Sequence, residues 1–389
     1  MSGAPARSAP AVAALNPAPD PVRERLPAVD AARGLALLLM LLDHAAFFAK
    51  VNVAAESYTR RPLSLWGPGW VIAGLFTNVS APTFWFVGGL SVALMAGRER
   101  WKHATDDFLL IRAGALYLID MVLVSWEWNP LHAPHAVVDF ELLSCLATAL
   151  LLMIPLRRLP DRPLIAVTAI LFVGYAALIR LVPTATLESF AFPARLLVTF
   201  DEVHRPVVTF PVLGWMGLMT MGLLFGRRLV RGDWLTGRPY YLAAGICLAV
   251  WLAARLTGLG SVNVWRPAQG VQALFIMQKG PPSLDYEAFN ISFGLLALGG
   301  FLDLGSAIKD LAAGRWLIAW GQAPLFLFVA HLLVTFVCAR ALLHLPYLRQ
   351  ADVPRYALTF VVTAAVLLPM ARWYRALKER NPDRVIHYL

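Results

Sequence analysis

Apolar residues in this chain gather into runs close to twenty residues long, and that spacing limits what it can fold into. About 30 Å of hydrocarbon needs roughly twenty helical residues at 1.5 Å each. In lipid every backbone polar group must be satisfied within the segment, which leaves the α-helix or the closed barrel. The runs lie near 28–48, 70–96, 107–127, 136–156, 163–183, 206–226, 238–258, 286–304, 315–343 and 355–376. They predict an all-α, polytopic transmembrane helical bundle of about ten spanning helices. The run at 315–343 exceeds one bilayer crossing and is expected to tilt or project.

Charge sets the orientation. The chain carries 34 Lys and Arg against 24 Asp and Glu. That excess falls in short clusters between runs rather than on one face, which argues against nucleic-acid binding. The clusters are Arg98, Arg100 and Lys102; Arg157, Arg158 and Arg162; Arg227, Arg228, Arg231 and Arg238; Lys309 and Arg315; and a basic C-terminal tail with Arg375, Lys378, Arg380 and Arg384. They occupy alternate connections, so the positive-inside rule makes both termini cytoplasmic. Residues 1–26, rich in Ala and Pro with no apolar core, read as a disordered cytoplasmic tail. Cys145, Cys247 and Cys338 sit inside apolar runs without paired spacing and read as small core residues.

The opposite connections are longer and hold unusual chemistry: Trp126-Glu127-Trp128-Asn129-Pro130 with His132 and His135, then 184–205, then Lys279-Gly280-Pro281-Pro282-Ser283-Leu284. Interfacial anchoring accounts for the Trp pair as well as function does. No Walker loop, dinucleotide fingerprint or HExxH helix occurs, and no metal is expected.

The first run places Asp30, Arg33, Asp43 and His44 in one apolar helix. Ionisable residues there are costly and point to function. Arg33 and His44 are eleven residues apart, about three turns and roughly 16 Å along the axis, so both project from one stripe. Arg33 stands at the cytoplasmic end and can meet a phosphate-bearing donor whose reactive end reaches His44. Adjacent helical residues diverge, so Asp43 is expected to pair with another helix rather than orient His44. Spacing alone leaves Asp43-His44 open between a packing pair and a catalytic one. Asp120 and Asp139 are candidate partners for His44 by depth. Arg112 is read as half of a structural pair. In the second run Pro82 strips the Asn78 carbonyl of its helical donor near Ser80, a break suited to a polar cavity. His331 falls near mid-depth of the ninth run.

The order Asp30-x-x-Arg33-Gly34, Met40-x-x-Asp43-His44, Asn78-x-x-Ala81-Pro82-Thr83-Phe84, Pro281-Pro282-Ser283-Leu284 and Pro324-Leu325-Phe326 with His331 resembles a known family. It is the group of bacterial membrane proteins classed with heparan-α-glucosaminide N-acetyltransferase, within the transmembrane acyltransferases. The resemblance runs from about residue 25 to the C-terminus. It implies one acyltransferase-like domain over 27–389 in a bacterial inner membrane, moving an acyl group, commonly acetyl from acetyl-CoA, to a carbohydrate or glycolipid acceptor. It implies His44 as the catalytic histidine and Arg33 as donor-binding; with the residues' own placement, Asp43 and Asn78 join the expected catalytic set, and Ser80, His331 and Ser283 are expected to bind substrate. Membrane lipids and a second copy of the chain are its other expected partners. In the animal lysosomal enzyme the catalytic histidine lies in the loop after this helix. No histidine stands between His44 and His103 here, so that role does not carry over. A transporter or lipid flippase built on the same intramembrane charges is the alternative, and a non-catalytic scaffold the third.

Overall fold

The computed structural model describes residues 26–51, 56–59, 67–98, 104–127 and 139–381. The expected tail, Arg100 and Lys102, the Trp128–His135 segment and Arg384 lie outside the described residues.

The principal helices are α1 (Pro27–Phe48), α2 (Pro68–Thr77), α3 (Ser80–Ala96), α4 (Thr105–Ile119), α5 (Leu142–Leu156), α6 (Asp161–Leu181), α7 (Val212–Val230), α8 (Arg238–Thr257), α9 (Leu284–Leu304), α10 (Ala312–Gly321), α11 (Pro324–Leu343) and α12 (Asp352–Arg380). Eight helical segments among the described residues are long and apolar enough to cross a membrane, counting α2 with α3 as one. Two expected spans fall outside that set. One is the 15-residue α5; the other is α7, which starts at Val212 rather than 206 and carries Arg227 and Arg228 in its last turn. The 315–343 run does not form one tilted helix. It breaks at Gln322-Ala323, because Pro324 has no amide hydrogen to extend α10 and instead opens α11.

Burial sorts the helices. In the most apolar stretch of α1 56% of residues are buried, and in α2–α3 61%, against 22% in α6 and in α12. The first group forms the centre, while the second turns Ile170, Val173, Leu181, Val361 and Trp373 outward. Helix α1 packs on α3, α9, α10 and α11; α3 packs on α7, and α8 on α9. With lipid as solvent, such contacts depend on close backbone approach through small residues. A Cβ on Gly34 would sit 1.9 Å from the Leu317 carbonyl oxygen, and one on Gly321 1.7 Å from that of Asp30. The α1–α10 seam is closed by this reciprocal pair.

Connections alternate between two ends of the bundle. At one end Asp106 accepts from Arg157 at 2.8 Å and from Arg158, while Asp161 accepts from Arg227 at 2.8 Å and Arg231 at 2.7 Å. At the other, Arg355 donates to the Ala49 carbonyl at 2.7 Å, and two short strands meet. These are β1 (Glu56–Tyr58) and β4 (Met277–Gly280), paired in parallel. A second parallel pair, β2 (Asp139–Phe140) with β3 (Val207–Val208), ties the start of α5 to the segment before α7.

Candidate active site

His44 lies in the penultimate turn of α1 and His331 in the second turn of α11, facing each other across the α1–α11 contact. His44 Nδ1 and His331 Nε2 are 2.6 Å apart. The ring centroids are 4.8 Å apart and the planes differ by 14°. Two nitrogens this close are nearer than face-to-face stacking permits, so the rings meet edge to edge, nearly coplanar, through a hydrogen bond.

The proton positions in this pair follow from the second partner of His331. Its Nδ1 lies 3.0 Å from the Leu327 carbonyl oxygen, which can only accept. For neutral rings His331 Nδ1 therefore carries the hydrogen and His331 Nε2 the lone pair. That lone pair takes the hydrogen of His44 Nδ1, and the lone pair of His44 is left on Nε2. One backbone carbonyl thereby sets the tautomer of both rings.

His44 lines a cavity together with Met40, Asp43, Ser80, Ala81, Phe84, Val124, Glu141, Leu142, Phe210, Lys279 and Phe328. Asp43 does pair with another element, as the helix geometry required: its Oδ2 is 3.9 Å from Lys279 Nζ on β4. Lys279 also donates to Glu56 Oε2 on β1 at 2.8 Å. Burial alone would depress the Lys279 ammonium, but the Glu56 and Asp43 carboxylates outweigh it and hold the group above the usual lysine range. Glu141 accepts from Thr209 at 2.7 Å on the opposite wall.

The remaining sequence candidates are more scattered. Asn78 is buried in the break between α2 and α3 and is absent from the cavity wall. Its carbonyl, orphaned by Pro82, accepts from the Tyr286 hydroxyl at 3.4 Å. Ser283 is fully buried and donates to the Gln278 carbonyl at 3.1 Å, bracing the turn after Lys279. Arg33 donates to Asp30 at 2.8 Å and to Ser91, away from the His44 cavity.

Asp120 and Asp139 are not the partners of His44. Asp120 accepts from the amides of Glu141 at 3.0 Å and Ser144 at 2.9 Å, capping α5, while Asp139 faces Arg205 at 3.4 Å. A neutral histidine holds the position expected for a carboxylate. Arg112 lines a second cavity, beside Phe84, Leu142 and Phe328. Sequence reasoning offered Glu141 as a candidate at the opening of the fourth run but missed Lys279 and Glu56 as site residues. The only signal for Lys279 was a cation on a connection otherwise poor in them.

Comparison with known proteins adds the family. The sequence matches the family described as heparan-alpha-glucosaminide N-acetyltransferase, catalytic, over residues 25–258. No curated protein matches the chain.

Proposed function

We propose that this chain, which belongs to the heparan-alpha-glucosaminide N-acetyltransferase catalytic family and is a membrane acyltransferase, uses acetyl-CoA to acetylate a carbohydrate or glycolipid acceptor. Helical spans and family together make it an integral membrane protein. In our reading it has about ten spans with both termini in the cytoplasm, and belongs to a bacterial inner membrane.

The observation that carries this reading is the His44–His331 pair, which sets the His44 tautomer with its acceptor on Nε2, in a residue that shares a cavity wall with Ser80 and Lys279. The acceptor hydroxyl or amine gives its proton to Nε2 as its oxygen or nitrogen attacks the thioester carbonyl. The carbon–sulfur bond then breaks, and the departing CoA thiolate takes the proton back from His44. Charge that builds on the carbonyl oxygen in between needs a donor. The Ser80 hydroxyl and the Lys279 ammonium both line the cavity and can serve. Asn78 and Asp43 complete the catalytic set by shaping the α2–α3 break and anchoring Lys279. Arg33 is assigned to the phosphate end of the donor, and Ser283 to the acceptor side through the turn it braces.

The test is CoA release by the detergent-purified protein, with acetyl-CoA as donor and a panel of envelope sugars and amino sugars as acceptors. Acceptor-dependent thiol release supports the reading. Transport of a labelled sugar by vesicles without any CoA release would support a transporter instead.

A further inference from the structure

At the basic end of the bundle five arginines interlock, and their charges do not balance. Asp106 on α4 accepts from Arg157 at 2.8 Å and from Arg158, both just past α5. Asp161, which opens α6, accepts from Arg227 at 2.8 Å and from Arg231 at 2.7 Å. Arg227 also donates to the Arg157 carbonyl at 2.8 Å, so the two groups form one belt across α4, α5, α6 and α7. Asp233 supplies a third carboxylate, 3.4 Å from Arg228. Five guanidiniums on three carboxylates leave an excess of two positive charges, and the flanking Asp107 and Arg162 cancel each other.

Exposure divides the belt. Arg157 and Arg227, each 17% exposed, tie the helices together. Arg228 and Arg231 are 41% and 50% exposed. Each has five N–H donors and gives one hydrogen bond to a carboxylate among the described residues. Both guanidiniums lean on the same Asp161 oxygen, Arg231 at 2.7 Å and Arg228 at 4.0 Å, so their nitrogens there stand no more than about 7 Å apart. One phosphate, accepting through two oxygens, can bridge that gap. The Arg228 guanidinium also lies 5.9 Å from the Trp234 ring, an aromatic suited to the headgroup zone.

The surface below the belt says what carries the phosphate. Along α6 from Asp161 the exposed side chains are aliphatic: Ile165, Ile170 and Val173. They lie roughly 6 to 18 Å along the axis from Asp161, the depth of lipid acyl chains. A soluble phosphate ester would use the arginines and leave this wall unused. A zwitterionic lipid would bring an ammonium to a belt that already has cations to spare.

We propose that the belt is a binding site for an anionic glycerophospholipid, its phosphate bridging Arg228 and Arg231 and its acyl chains lying along α6. The site is independent of the acyl-transfer reading and holds whether or not that reading does.

The experiment is native mass spectrometry of the protein, delipidated in a neutral detergent and titrated with dioleoylphosphatidylglycerol or dioleoylphosphatidylcholine. The wild type should prefer phosphatidylglycerol. Arg228→Gln/Arg231→Gln should weaken phosphatidylglycerol about 25-fold, roughly fivefold per guanidinium near an anionic headgroup, and leave phosphatidylcholine unchanged. Asp161 keeps Arg227 in that variant, so the belt stays tied. Arg228→Lys/Arg231→Lys keeps the charge and should retain most of the preference. Arg315→Gln, an exposed arginine on another connection, should behave like the wild type. Wild-type phosphatidylglycerol affinity in Arg228→Gln/Arg231→Gln would overturn the site. Equal loss of phosphatidylcholine would also do so, by marking the pair as structural, and an equal effect of Arg315→Gln would show diffuse surface charge instead. Displacement of bound phosphatidylglycerol by free CoA would hand the arginines to a soluble phosphate and overturn the lipid assignment.

Discussion

His331 has a specific duty in the proposed mechanism: it holds the hydrogen of His44 on Nδ1. Replacing it with Phe preserves an aromatic ring between α1 and α11 but removes the acceptor. The Nδ1–H of His44 then loses its 2.6 Å partner inside the bundle. An unsatisfied buried donor costs about 1–3 kcal/mol. If that cost falls wholly on the transition state, turnover drops roughly 5- to 150-fold. His44→Ala removes the base itself and should cost at least about 10²-fold. Because His331 acts only through His44, the double variant should be no slower than His44→Ala. His331→Gln can present a carbonyl oxygen at the vacated position and should regain part of the activity. The assay is steady-state CoA release in detergent, with melting temperature recorded for every variant to separate turnover from folding. Losses that multiply in the double variant would refute the argument, since they would mean that His331 works independently of His44. Wild-type turnover by His44→Ala would refute the mechanism altogether.

Other parts of the structure make their own demands. Gly321→Ala puts a methyl group 1.7 Å from the Asp30 carbonyl oxygen and must part α1 from α10; we expect a loss of about 1–3 kcal/mol, seen as a lower melting temperature in detergent. Gly245→Ala, with open space at its Cβ inside α8, is the control and should melt at or slightly above the wild type. Asp201 is buried, which by itself would raise its carboxyl, but the amides of His204 and Val203 and the Arg195 guanidinium prevail and hold it below the ordinary range. A depressed carboxyl stabilises above its unfolded value, about 3.9, and that support is lost as pH falls through the lower folded value. Amide exchange around 199–209 should therefore speed up at acid pH in the wild type and lose that pH dependence in Asp201→Asn. Topology can be checked in a background lacking Cys145, Cys247 and Cys338: Arg98→Cys should be labelled only from the cytoplasmic side and Glu202→Cys only from outside. Labelling of both from one side would reverse the proposed arrangement.

Much of the frame was legible because it follows from local rules. The hydrophobic runs located the helices, and the alternation of basic connections matches the way Asp106 and Asp161 meet their arginines at one end. The break at Pro82 was legible too, since a proline must orphan a particular carbonyl; only its partner, Tyr286, lay beyond reach of the sequence. The divided 315–343 run could have been read from Pro324 as a helix start, but unbroken hydrophobicity across Gln322 hid it. The site itself was half visible. His44 stood out as an imidazole in lipid, yet its partner is 287 residues away, and nothing local distinguishes His331 from Asp120 at similar depth. Lys279 and Glu56, 223 residues apart, come together only because β1 and β4 pair.

That strand pairing also bears on how the enzyme is made. The family match ends at residue 258, before Lys279 on β4 and His331 on α11. During synthesis His44 enters the bilayer with the first helix, then waits through most of translation for both partners. The emerging chain therefore carries the proposed base without the groups that orient it until β4 has formed and α11 has packed against α1. In the proposed mechanism, full catalytic competence is therefore a late event of assembly rather than one that comes with the early helices.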